Sequence, residues 1–340
     1  MSNLPTAMSA VLLKGNGEYD QLEFRADVPV PEPAAGEVLI RIGAAGVNNT
    51  DINTRTDWYS QGATVAGWTG APPVFPRIQG ADGCGRIVAV GEGVDASRIG
   101  ERVLVEPVFR EAHRVIYFGS EWDGAFAEYA KAPAVHAHRI DSSLSDTELA
   151  TFPCSYSAAE NMLARAKLSE GETVLITGAS GGVGSAALQL AKRRGAKVIA
   201  IAGQEKAAEI MSLGASQVLS RDTAIAAALG AQTVDVVCDV VGGAQFPDLL
   251  EVMKRGGRYA VSGAIAGPHV DLDLRTLYLK DLKLFGCTVF EPSVFTDLIG
   301  YIERGEIKPL VSRVFPLSSI VEAQKEFMAK RHIGKIVLKV

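Results

Sequence analysis

Four polar side chains, Asn48, Asn49, Thr50 and Asp51, stand together in the stretch GVNNTDI, just after the apolar run Val38–Ile42. A polar cluster at the end of a buried strand has three chemical uses. It closes a turn, it binds a metal with ligands from elsewhere in the chain, or it holds a substrate. A plain structural reading also exists, in which Asn48, Asn49 and Asp51 cap a helix over about Thr50–Arg55.

A second chemical signal lies in VLITGASGGVGSAALQLAKRRGAKVIAIAG, residues 174–203. Ala179, Gly181 and Gly184 occupy the three small-residue slots of a dinucleotide fingerprint, with Gly182 and Val183 between them. The first slot needs a tight turn, the second lets backbone approach a pyrophosphate, and the third lets helix pack on sheet. The helix N-terminus then offers N–H groups and the positive end of a dipole to the anion. An apolar strand before the motif and an amphipathic helix after it supply the context that the motif requires.

The end of the next strand selects the dinucleotide. An NAD site places a carboxylate there for the ribose 2′-OH, but the sequence reads Ile201-Ala202-Gly203-Gln204, with Lys206 shortly after and Arg221 beyond the following strand. Gly203 leaves room for a 2′-phosphate, and Lys206 and Arg221 offer charge for it, so NADPH is the expected cofactor. Glu205 lies past the strand end.

These residues need elements to hold them. Up to about Pro153 short β-type runs recur, at Val38–Ile42, Gly85–Val90 and Arg102–Val105, separated by turn signals such as Pro31-Glu32-Pro33 and Gly91-Glu92-Gly93. That texture predicts an antiparallel or barrel-like β domain. After Ser155 apolar runs alternate with helical patterns: Thr173–Thr177, a helix with Val183, Ala187, Leu190 and Ala191 on one face, Lys197–Ala202, a helix over Glu205–Leu213, then Gln217–Leu219, Val234–Val241, Tyr259–Ser262 and Leu282–Phe285. This rhythm predicts right-handed crossovers and a parallel, doubly wound sheet. The tail carries a helix near Thr296–Glu303 and a last strand, Lys335–Val340.

Composition limits the partners. The 340 residues exceed one ordinary domain, and 47% hydrophobic with 21% charged residues is the balance of a globular protein. A net charge of −5 argues against nucleic acid and anionic membrane as general partners. No apolar run approaches the roughly 20 residues that span a bilayer, and the start lacks the basic n-region and apolar h-region of a signal peptide. Cys84, Cys154, Cys238 and Cys287 form no CxxC pair, which suits a reducing, cytoplasmic setting.

PRIQGADGCGRIVAVGEGV, RIGERV, DGAFAEYA, GASGGVGSAALQLAKRRGAKVIA and VDVVCDVVGG follow one another in an order that resembles the medium-chain dehydrogenase/reductase superfamily, in particular its zinc-free quinone-oxidoreductase-like branch. The resemblance covers nearly the whole chain. It implies a GroES-like catalytic domain from residues 1–155 and 293–340, a Rossmann NADP-binding domain from 156–292, and a substrate cleft between them with the nicotinamide at its base. It also implies a homodimer paired through the edge strand Leu282–Phe290.

In the zinc-containing relatives a cysteine ligand stands at the place of Asn48, a histidine ligand at the place of Ala81, and a second cysteine ligand at that of Cys154. Of these positions only Cys154 keeps a metal-binding side chain, with Asp82 as a neighbouring oxygen ligand. Three protein ligands are the norm for catalytic zinc, so no metal is expected. The structural-zinc lobe is absent too, since residues 102–128 contain no cysteine, and His113, His136 and His138 show no ligand spacing. The asparagines then read as a polar wall beside the nicotinamide, with Asn48 near cofactor and substrate, Asp51 holding the loop or Arg55, and Thr50 matching the hydroxyl that zinc enzymes use as a proton relay. Ala158 replaces a threonine common in relatives, which directs attention to Ser157. Trp58, Tyr59 and Trp68, in the segment 57–76, are either a substrate wall or packing residues. The expected activity is NADPH-dependent hydride transfer to a small carbonyl-conjugated alkene or quinone. Alcohol/ketone dehydrogenation and non-catalytic NADPH binding remain as alternatives.

Overall fold

A computed structural model describes residues 4–59, 74–111 and 114–340. Trp68 and His113 therefore lie outside the described residues. The chain divides into two compact units, residues 1–154 with 309–340, and residues 155–308.

The first unit is built on a seven-stranded sheet among the described residues. Its centre is Glu37–Gly46, whose Val38, Leu39, Ile40 and Ile42 are all buried. A continuous apolar run, rather than strict alternation, is what a strand covered on both faces requires. Asp82–Val90 pairs antiparallel with it on one side and Lys335–Lys339 antiparallel on the other. Val311–Pro316 adds to Lys335–Lys339 in parallel, so the sheet is mixed rather than wholly antiparallel. Register sets the chemistry. Gly46 faces Asp82 on one flank and Val337 on the other. Continuing the second ladder by two residues brings Lys335 opposite Asn48, and Val47 N–H donates to Ile336 O at 2.9 Å. Three distant segments thus end at one point.

The second unit carries a six-stranded, wholly parallel sheet. Its order is Gln217–Ser220, Lys197–Ala202, Thr173–Ile176, Val234–Asp239, Met253–Val261 and Lys283–Gly286. This 3-2-1-4-5-6 order is the doubly wound dinucleotide fold. The helix after the first strand, Gly182–Arg193, buries Ala186, Ala187, Leu190 and Ala191 against the sheet. The expected helix over Glu205–Leu213 begins later, as a 3₁₀ turn Gln204–Lys206 followed by an α-helix Ala207–Leu213.

The second unit extends past the expected boundary at residue 293 to Lys308. The helix Pro292–Glu303 buries Val294, Phe295, Leu298 and Ile302. The Tyr156 hydroxyl and the Gln189 amide both donate to Lys308 O, which fixes the end of the segment. The edge strand is also shorter than Leu282–Phe290. It ends at Gly286, and the bond from Cys287 N–H to Val261 O at 2.9 Å is the last of its ladder.

Candidate active site

Asn48 is the N-cap of a short helix, Asn49–Arg55. Its backbone N–H donates to Asp51 Oδ2 at 2.8 Å, so the carboxylate three residues on closes the helix start. The capping reading therefore holds for Asn48 and Asp51. Asp51 holds the helix start and not Arg55, whose guanidinium instead donates to Gln324 Oε1 and Gly17 O and stacks over Tyr19. Asp51 is 2% exposed, and burial pushes its carboxyl up to about 7 against the opposing pull of the Asn48 N–H and of Lys335.

The Asn48 side chain faces inward. Its Nδ2 donates to Asp82 Oδ2 at 2.8 Å and to Gly46 O at 3.3 Å, while Oδ1 accepts from Lys335 Nζ at 2.5 Å. Both amide donors are therefore committed within the protein. The neighbours on either side fix which end of the amide is which, because only a carbonyl oxygen can face an ammonium. Asp82 is wholly buried, and besides Asn48 it takes Lys335 Nζ at 2.8 Å and the Cys154 backbone N–H at 2.6 Å. Gly46 must be glycine here, since a Cβ would lie 2.4 Å from Asp82 Oδ2.

Lys335 is the residue that the sequence did not disclose. A lysine at the first position of a terminal strand reads as a solvated charge. Only sheet register, acting over nearly the full length of the chain, brings it to Asn48. Its side chain is 3% exposed.

The outer part of the cluster carries hydroxyls. Tyr59 hydrogen-bonds with Thr50 and Asn53, and burial pushes its phenol up to about 12, so it holds its proton at neutral pH. Trp58 meets the Tyr59 ring edge-on at 5.4 Å. Thr50, Asp51 and Tyr59 are thus brought together with Asn48.

The donor set does not suit zinc. Asn48 offers an amide, Ala81 offers nothing, and an ammonium lies between the nearest oxygens. Burial, with Asp82 nearby, pushes the Cys154 thiol up, away from the thiolate that a metal needs.

A second group forms where spacing gave no signal. Glu106 Oε2 lies 2.8 Å from His136 Nδ1 and 3.1 Å from His138 Nε2, and Arg110 bonds Oε1. His136 Nε2 accepts from the Arg110 backbone N–H, which leaves the proton on Nδ1, facing Glu106. A metal needs that nitrogen's lone pair, so the arrangement is a hydrogen-bond hub that ties strand ends together. His bonds, opposed by burial, hold the Glu106 carboxyl down to about 2.

In the second unit the fingerprint forms the turn between the first strand and its helix. Gly181 is the helix N-cap, and the first N–H groups of the helix, from Gly182, Val183 and Gly184, have no intrahelical acceptor. A Cβ at Gly184 would lie 2.2 Å from Gly178 O, the close helix–strand approach that the third slot demands. Ala179 is fully buried, with its N–H on Ile201 O. Lys206 is 5% exposed, and its Nζ stands 3.4 Å from Ser180 Oγ in the fingerprint loop. Burial and the neighbouring Arg221 both push its pKa down. Lys206 thus brings one cation to the fingerprint loop beside Gly203, with the exposed Arg221 near enough to act on it. Glu205 folds across Gly203, where its charge favours the Lys206 cation. Loop, helix terminus and cations together fit a dinucleotide.

Comparison with known proteins bears on the fold and the family. Residues 34–142 match the family model for the alcohol dehydrogenase GroES-like domain, and residues 182–304 that for zinc-binding dehydrogenase. An acryloyl-coenzyme A reductase of Sulfurisphaera tokodaii is 30% identical over 98% of this chain and 100% of its own length. A quinone oxidoreductase of Rattus norvegicus is 28% identical, covering 97% of each chain. A solved structure from Sinorhizobium meliloti 1021, provisionally assigned as an alcohol dehydrogenase, is 49% identical with a TM-score of 0.95, covering 100% of this chain and 98% of its own.

Proposed function

Because the chain belongs to the medium-chain dehydrogenase/reductase superfamily, in its zinc-free, quinone-oxidoreductase-like branch of nicotinamide-using oxidoreductases, we propose that it is an NADPH-dependent reductase of carbonyl-conjugated alkenes or quinones that works without a catalytic metal. The observation that carries this reading is the amide of Asn48 and the alanine at 81 standing where the zinc-containing relatives carry two of their three ligands, with the Lys335 ammonium already on Asp82.

NADPH supplies the hydride. A conjugated substrate delocalises the incoming charge onto its carbonyl oxygen, where hydrogen-bond donors can stabilise it in place of a Lewis acid. A plain ketone or alcohol benefits more from a metal. With the Asn48 donors turned inward and the Thr50 hydroxyl donating to Tyr59, the donor for that oxygen is the Tyr59 hydroxyl. Tyr59 keeps its proton at neutral pH and so can donate, and Asp51, titrating near neutrality, is the nearby reservoir for the proton that completes reduction. Trp58 flanks the Tyr59 ring. Names of the relatives point the same way, since acryloyl thioesters and quinones are both conjugated acceptors.

Lys206 and Arg221 support NADPH over NADH, whereas Glu205, in the turn past the strand end and folded across Gly203, is the feature that would favour NADH. Lys206→Ala should raise the KM for NADPH far more than for NADH, by the roughly 10-fold or more that a charged hydrogen bond of about 1.5–3 kcal/mol provides. Equal effects on both cofactors would reject the assignment.

A second reading, alcohol/ketone dehydrogenation, is favoured by the provisional assignment of the Sinorhizobium meliloti relative. A steady-state screen of enones, enals, quinones, acryloyl thioesters and ketones with NADPH, and of alcohols with NADP⁺, separates the two. Turnover confined to alcohols and ketones would reject the conjugated-acceptor reading, and tight NADPH binding with no turnover would make the chain a binding protein.

A further inference from the structure

Asn16–Gly17 is the only Asn–Gly pair in the chain, and it lies between the first two strands, Ala7–Leu13 and Leu22–Pro29. Such a pair is open to deamidation, because glycine puts no side chain between its own backbone nitrogen and the amide carbon of the asparagine before it. Here both residues have work in the fold. Thr54 and Arg55 end the helix Asn49–Arg55, and their carbonyls have no donor four residues on within the helix. Asn16 Nδ2 donates to Thr54 O at 2.9 Å and Gly17 N–H to Arg55 O at 2.8 Å, so the turn caps the helix from outside. Arg55 Nη1 donates in return to Gly17 O at 2.6 Å. Gly17 sits at φ +148°, where any other residue is strained. The cap thus uses the amide of Asn16 and the backbone freedom of Gly17, the same two features that make the pair reactive, and Asn16 is exposed to water.

We propose that Asn16–Gly17 is a deamidation site held in check by the helix that carries Thr50 and Asp51, and that its conversion uncaps that helix. The Gly17 nitrogen loses its proton to hydroxide and bonds to Asn16 Cγ, the Cγ–Nδ2 bond breaks, and ammonia leaves. Water then opens the succinimide to aspartate or isoaspartate, with nothing oxidised or reduced. The first step needs the proton that Arg55 O now holds and the amide that Thr54 O now holds. It therefore proceeds from a locally opened state and slows as that state becomes rarer. The product sets a carboxylate against the Thr54 carbonyl, two acceptors with no proton between them. Isoaspartate also lengthens the main chain, which draws Gly17 N–H away from Arg55 O.

The test stores the purified full-length protein in mildly alkaline buffer, native and unfolded in guanidinium. Conversion of the peptide around Asn16 is followed by mass spectrometry, with isoaspartate resolved from aspartate by retention. The native protein should convert roughly tenfold more slowly or better. Conversion as fast in the native protein as in the unfolded would overturn the proposal. Asn16→Asp, a substitution at an exposed position, supplies one product directly. Its amides over residues 14–21 and 53–58 should exchange with deuterium several-fold faster than those of wild type. Unchanged exchange in either segment would also overturn the proposal, because the Asn16 amide would then not be what holds turn and helix together.

Discussion

Asp51 ties the chemistry to pH. Its carboxyl is raised from 3.8 to about 7 by burial. The unfolded chain therefore releases this proton first. Between about pH 4 and 7 the unfolded state binds fewer protons, and the Asp51 contribution to stability falls as pH rises. At about 1.4 kcal/mol per pKa unit the fall amounts to at most about 4 kcal/mol. The stability advantage of wild type over Asp51→Asn, measured by denaturant melts, should shrink across that window, and a limb near pH 7 in kcat/KM should disappear in the variant. An unchanged limb would remove Asp51 from the proton path. At this scale the sequence was legible where residue type carries local meaning: Asn48 and Asp51 announce a helix cap, and Ala179, Gly181 and Gly184 announce a tight strand-to-helix turn. Lys335, and the meeting of Glu106 with His136 and His138, were illegible because only strand pairing makes them neighbours.

The strands that bring Glu106 to the two histidines depend on that ion network. Holding the Glu106 carboxyl down from 4.5 to about 2 makes its contribution present above about pH 4.5 and progressively lost as pH falls toward 2. Glu106→Gln should destabilise the protein at neutral pH and converge with wild type in acid. A constant difference from pH 6 to 3 would refute the linkage. The edge strand Lys283–Gly286 raises a different matter. Leu284 on it and Leu274, Tyr278 and Leu279 on the neighbouring helix are exposed. An uncovered apolar edge invites pairing, so the chain should form a homodimer in analytical ultracentrifugation, with Leu284→Lys shifting it toward monomer. A wild-type monomer at every concentration would exclude this. Periodicity gave the elements well because alternation and helical faces are local. It overran at strand ends such as residues 287–290, since the pairing with Met253–Val261 ends with the bond from Cys287 N–H to Val261 O.

Across the whole molecule the doubly wound sheet was legible from its strand–helix rhythm, and the β-rich first unit from its turn spacing. The boundary near 293 was not, because the helix that follows is apolar on one face and the sequence does not say which core that face joins. The two units carry separate halves of one proposed activity: a dinucleotide loop with Lys206 beside it, and a buried polar cluster of Asn48, Asp82 and Lys335 with the Thr50 and Tyr59 hydroxyls on the same helix start. Metal-free reduction with NADPH is the claim on which the account turns. Its most direct test is a single preparation, dialysed against EDTA, assayed for zinc content and for NADPH oxidation with the conjugated-acceptor panel. The account predicts well under one equivalent of zinc with turnover undiminished by the chelator. Turnover that is lost on chelation and restored by stoichiometric zinc would contradict it.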